Sequence, residues 1–189
     1  SNNDLSEVPI APGVLRKLNH LNLSGNRIIG DSAIQESLNG LQALEWLDLR
    51  NNPISTLDVS AMTRLKALSL RGTNLHDWPA GVQNLPDLTW LDLRDSKISS
   101  MPDQVPDEML LKTDLSGTPL SATALDPVKA AWQRLEIAKG LPEGALQRFS
   151  LEEVPVLFPP QESGYSIAQH LLALTPVPMG EGRTILMQR

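Results

Sequence analysis

Leucine recurs along this chain in one phrase, and the spacing inside the phrase predicts the element it builds. Leu18-Asn-His-Leu21-Asn-Leu23-Ser-Gly-Asn26-Arg-Ile28 returns as Leu44-Glu-Trp-Leu47-Asp-Leu49-Arg-Asn-Asn52-Pro-Ile54, and both read LxxLxLxxNxI. It returns again as Leu65 to Leu75 and as Leu88 to Ile98, position by position. A fifth copy, Leu110 to Leu120, carries Thr113 where a leucine is expected, so the array fades there. The copies begin at residues 18, 44, 65, 88 and 110, which makes the periods 26, 21, 23 and 22. Self-similarity at such a period is the signature of a solenoid in which each copy is one coil and buries its apolar face against its neighbours. Upstream, Ser1-Asn-Asn3-Asp-Leu5 matches only the tail of a copy, with Asn3 lying 23 residues before Asn26. The solenoid is therefore expected to be open at that end, and the chain to be a piece of a longer protein.

Successive side chains of a strand face opposite ways, so the two leucines that alternate within each copy share one face. Leu21, Leu23, Leu47, Leu49, Leu68, Leu70, Leu91 and Leu93 are predicted to stack as one inner column. Each buried leucine contributes about 1.5–3 kcal/mol of transfer free energy. The asparagine position reads Asn3, Asn26, Asn52, Thr73, Ser96 and Thr118. An amide there can satisfy backbone groups that a turn leaves unpaired and buried, and a hydroxyl offers fewer bonds, so the later coils are expected to be less rigid. Val8-Pro9, Trp78-Pro79 and Met101-Pro102 place an apolar residue before proline, which favours extended or turn backbone in the returning segment and assigns Trp78 to the core. Asp31 to Leu38 has apolar residues at helical spacing behind a capping residue, which predicts a convex helix and accounts for the 26-residue period.

After the fifth copy the pattern changes. Asp126-Pro127 opens a stretch with Val128, Ala131, Trp132 and Leu135 on one helical face, and Gly140 ends it. A solenoid needs its terminal apolar face covered, and this helix is predicted to be the cap. Beyond it a second helix is expected around Ser166 to Leu174, and the Pro- and Gly-rich run Thr175 to Gly182 suits a linker. The chain thus divides into repeats over residues 1–125 and a helical cap and extension over residues 126–189.

Composition narrows the function. Apolar residues make up 41% of the 189 and charged residues 20%, which suits a folded domain in water. The formal charge of -6 argues against a surface that attracts nucleic acid or anionic lipid, and no apolar run is long enough to cross a membrane. The absence of cysteine removes disulfides, thiolate zinc sites and cysteine nucleophiles, and leaves the redox compartment open. His20, His76 and His170 show no metal-ligand spacing. No GxSxG, HExxH or Walker motif occurs, Gly180-Glu-Gly182 lacks the rest of a phosphate loop, and Ser163-Gly-Tyr-Ser166 reads as a loop and helix start. The sequon at Asn22-Leu-Ser24 is produced by the repeat itself. No cofactor and no metal are expected.

The repeats resemble the leucine-rich-repeat family over about residues 1–125. Periods of 20 to 29 residues suit that family, and the resemblance implies an α/β solenoid, a horseshoe with short parallel strands on its concave side. It also implies a recognition module that binds another protein on that side, most simply as a monomer. The fading array, the Leu-Ser-Gly-Thr-Pro-Leu ending at 115–120 and the helical follow-on are similar to bacterial effectors of the leucine-rich-repeat ubiquitin-ligase type. On that reading the chain would recruit the substrate of an enzyme whose catalytic domain lies elsewhere, since that ligase type uses a cysteine. The protein would then be secreted into the host cytoplasm.

The outward positions of each strand make three columns. The first is His20, Trp46, Ala67, Trp90 and Lys112, the second Asn22, Asp48, Ser69, Asp92 and Asp114, and the third Ser24, Arg50, Arg71, Arg94 and Ser116. All are expected on the concave side. Trp46 and Trp90 cannot serve the leucine core from there, and tryptophan and arginine are enriched among interface hot spots. Arg50, Arg71 and Arg94 would either grip carboxylates of a partner or pair with the aspartates across coils. The candidate partner-binding set is His20, Trp46, Asp48, Arg50, Arg71, Trp90, Asp92, Arg94, Lys112 and Asp114.

Overall fold

The computed structural model describes residue 5, residues 16–30 and residues 32–145. Expectations for Ser1 to Asp4, Val8-Pro9, the Asp31 cap, the second C-terminal helix and the linker lie outside these residues. Five strands follow in order: β1 (His20–Asn22), β2 (Trp46–Asp48), β3 (Ala67–Ser69), β4 (Trp90–Asp92) and β5 (Thr113–Asp114). They form one parallel sheet in sequence order, with Leu21, Leu47, Leu68, Leu91 and Thr113 in register. Parallel neighbours need a crossover, and here each crossover is the return half of a coil. Coil one returns through helix α1 (Ser32–Asn39), which buries Ile34 and Leu38; coil two returns without a helix, coil three through one short 3-10 turn, Val82–Asn84, and coil four through a five-residue helix, Asp107–Leu111.

The core is the predicted leucine column, continued by the residues that close each coil. Leu47, Leu49, Leu68, Leu70, Leu91 and Leu93 are buried, with Ile28, Ile54, Leu75 and Ile98 behind them. Trp78 is part of this cluster, as its place before Pro79 predicts, and its Nε1 has no hydrogen-bond partner among the described residues. It borders a cavity of about 520 Å³ on the return side, shared with Val82, Met101 and Pro102.

The asparagine position does more than fill a turn. Asn52 Nδ2 donates to Leu49 O of its own coil at 3.0 Å and to Leu23 O of the coil before at 2.9 Å, while its Oδ1 accepts from Ile28 N at 3.1 Å. Asn26 likewise donates to Leu23 O and accepts from Leu5 N, so Leu5 is tied to the first full coil. The hydroxyls that replace asparagine make only the local bond: Thr73 to Leu70 O, Ser96 to Leu93 O and Thr118 to Leu115 O. A hydroxyl is too short to span two coils, so what the later coils lose is the bond between coils.

One position before each asparagine the chain turns through left-handed backbone. Gly25, Asn51, Gly72, Asp95 and Gly117 have φ of 67°, 56°, 68°, 56° and 72°. Glycine adopts this region freely, and Asn and Asp tolerate it better than other side chains. Glycine also leaves room at two of these turns: a Cβ on Gly72 would meet Asn51 Oδ1, and one on Gly117 would meet Asp95 Oδ1. This column escaped the sequence reading, although its Gly and Asn content is a turn signal.

At the far end, helix α2 (Asp107–Leu111) leads into β5, and helix α3 (Asp126–Ala138) packs against it. Pro127 sits in the first turn of α3, where no backbone donor is needed. Ala131 and Leu135 of α3 join the same core cluster, with Val128, Trp132 and Leu141 packed against it. The helix stops as predicted at Gly140, whose φ is 64°; Gly140 N donates to Ile137 O and Leu141 N to Glu136 O.

Candidate concave recognition surface

Strand register decides which side chains meet on the open face. His20, Trp46, Ala67 and Trp90 fall on one line across four strands, and Lys112 follows just before β5. The His20 and Trp46 rings stack with centroids 5.4 Å apart and 23° between planes. Ala67 is only 2% exposed although it points away from the leucine column. Its neighbours along that line are Trp46 and Trp90, both half-buried. His20, Trp46 and Trp90 thus form an aromatic shelf along the sheet, stepped at the small Ala67.

The second column has a structural duty. Asp48 Oδ1 accepts from Arg50 N at 3.1 Å, Asp92 Oδ1 from Arg94 N at 3.1 Å, Asp114 Oδ1 from Ser116 N at 3.0 Å, and Asn22 Oδ1 from Ser24 N at 3.0 Å. A short acceptor side chain bonding the N–H two residues on is the usual way Asx residues hold a turn. The turn here is the one that leaves the strand.

These aspartates also engage the arginines. Arg50 donates Nε and Nη2 to Asp48, and Arg94 does the same to Asp92 at 2.9 Å for both bonds. The hydrogen bonds to Asp48 and Asp92 raise the pKa of the two guanidinium groups further. Asp92 is fully buried and also accepts from Ser69 Oγ at 3.0 Å. Coil three departs from the rule because Ser69 stands where aspartate would be. Arg71 turns to Asp95 of the next coil instead, at 2.8 Å. Arg94 reaches a second carboxylate, Asp114, at 3.5 Å. Burial pushes the Asp114 carboxyl up, against the opposing pull of Ser116 and Arg94. Lys112 donates Nζ to Leu88 O at 2.7 Å, and desolvation lowers its pKa.

The ten residues of the candidate set are therefore placed on one sheet face and at its edge. The two tryptophans present aromatic surface, while Asp48, Asp92 and Asp114 are occupied in closing turns. His76 is exposed in a turn away from this face, and His170 is outside the described residues. Among the described residues no group of three His, Asp or Glu side chains is arranged to hold a metal, and no helix is long and apolar enough to cross a membrane.

The family model described as Leucine Rich Repeat matches residues 17–41 and 43–65, the first two full copies. No curated protein matches the chain by sequence. Among solved structures, a leucine-rich-repeat protein of Leptospira interrogans is 22% identical with a TM-score of 0.50, over 62% of this chain and 36% of that one. An internalin of Listeria monocytogenes is 21% identical over 66% of this chain and 43% of its own, with a TM-score of 0.49. The repeat ectodomain of the receptor kinase SOBIR1 of Arabidopsis thaliana is 27% identical over 59% of this chain and 64% of its own, with a TM-score of 0.46. The chain thus spans about a third to two thirds of the length of these proteins. The repeat seen in the sequence, the family model over its first two full copies and the coils of the backbone agree on one fold, a leucine-rich-repeat solenoid.

Proposed function

We propose that the concave face binds a partner protein, with Trp46 and Trp90 as its anchors. The leucine-rich-repeat fold is generally a protein-interaction scaffold without catalytic activity of its own. The observation that carries the reading is the aromatic shelf: two half-buried indoles in line with a stacked His20 and a buried Ala67, where the leucine core has no use for them. Rigid aromatic side chains bury large areas at little entropic cost, which is why they dominate interface energetics.

The test is a comparative pull-down with the wild-type chain and the Trp46→Ala/Trp90→Ala variant, with captured proteins identified by mass spectrometry. Both indoles lie outside the leucine core, so the variant should keep its circular dichroism spectrum and lose only a few degrees in thermal midpoint. A captured set lost with the variant supports the reading. The same set retained by a folded variant refutes it.

A further inference from the structure

We infer that the element of the partner seated on this shelf is uncharged and apolar, a short segment presenting aromatic or aliphatic side chains, and that the arginines orient nothing in the partner. The inference rests on the concave-face reading above and specifies the chemistry of its partner. Its ground is the charge balance of the face. Lys66, Arg50, Arg71, Arg94 and Lys112 lie along the strands and their ends, and so do Glu45, Asp48, Asp92, Asp95 and Asp114. The two sets cancel, although the whole chain carries -6.

They also pair. Asp48 occupies Nε and Nη2 of Arg50, and Asp92 occupies the same atoms of Arg94. Arg71 is bound to Asp95, Lys66 to Glu45 at 3.3 Å, and Lys112 Nζ to the Leu88 carbonyl. A partner carboxylate approaching Arg50 or Arg94 would find the Nε–Nη2 edge already taken by Asp48 or Asp92, each of which also holds the turn that closes its coil. The incoming carboxylate would then sit close to a like charge, Asp92 fully buried or Asp48 partly so, beside a guanidinium whose charge is already matched. An apolar segment meets no such repulsion. Residues 46 and 90 are two strands apart, about 9.6 Å along the sheet, a span that one or two large side chains cover.

The experiment uses the full chain as bait for a random-peptide library displayed on phage. Enriched peptides are expected to carry aromatic or aliphatic side chains and little net charge. Their affinity should change less than about threefold between low and high salt, because no free charges are paired on binding. Trp90→Ala, and Trp90→Leu as a second variant, should each weaken binding by about tenfold or more. Arg71→Gln should leave it within about threefold.

Enriched peptides rich in Asp and Glu, weakened by salt and by Arg71→Gln, would overturn the inference; if Trp90→Ala weakens them too, the concave-face reading still stands. Peptides indifferent to both the tryptophan and the arginine changes, or no enrichment at all, would overturn both.

Discussion

Replacing Asn52 by alanine removes one side chain that serves three buried backbone groups in two coils. Its amide donates to Leu23 O and Leu49 O, and its oxygen accepts from Ile28 N; Asn52 itself is 1% exposed. A neutral hydrogen bond contributes about 1 kcal/mol net, and a buried group left unpaired costs about 1–3 kcal/mol. Asn52→Ala is therefore expected to cost about 3–5 kcal/mol, a large part of the stability of an ordinary domain. Ser96 holds the equivalent place two coils on with a single bond, to Leu93 O, so Ser96→Ala should cost only about 1 kcal/mol. Asn52→Thr separates the two contributions, because the hydroxyl keeps the bond to its own coil and loses the bridge. It should fall between the two alanine variants, and exchange at the Ile28 amide should accelerate in both Asn52 variants. Urea unfolding followed by circular dichroism measures all three, from the midpoint and slope of each transition. If Asn52→Ala cost no more than Ser96→Ala, the bridging role assigned to asparagine would be refuted.

Three further outcomes follow from the same geometry. Leu68 is fully buried in the central strand, so Leu68→Ala should lower the unfolding free energy by about 2–5 kcal/mol in the same assay. Gly72→Ala should cost about 1–2 kcal/mol from the left-handed φ of 68°, plus the contact with Asn51 Oδ1; adding Asn51→Gly should recover the contact part only. Asp114 has its folded pKa raised above the ordinary 3.8, chiefly by burial. Between those two values the folded state holds the proton more firmly, so this group's contribution to stability falls as pH rises through the window and the cost persists at neutral pH. Asp114→Asn removes that slope. Its thermal midpoint relative to wild type should therefore rise from acid to neutral pH, and a constant difference would contradict the assigned shift.

Much of this molecule was decided by short-range pattern. The alternating leucines, the Asn position, the helix over Ser32–Asn39 and the helix opened by Asp126-Pro127 with its stop at Gly140 were legible because each depends on neighbours within one coil or one helical turn. Repetition then carried the outward columns from coil to coil, so that His20, Trp46, Ala67 and Trp90 were placed together before any coordinates. What the chain alone left open was which partner each polar side chain takes. Arg50 and Arg94 pair within their own coils, yet Arg71 crosses to Asp95, and the difference turns on a single serine at position 69. Nor could spacing reveal that Asn52 bridges two coils while Ser96 serves one, or that Ala67 on the outward face is buried between two tryptophan-bearing strands. Strand and helix follow from local backbone preference and apolar period, which a sequence displays directly. Pairing and burial depend on distances of a few ångströms between segments more than twenty residues apart, and only the stacked coils set those distances.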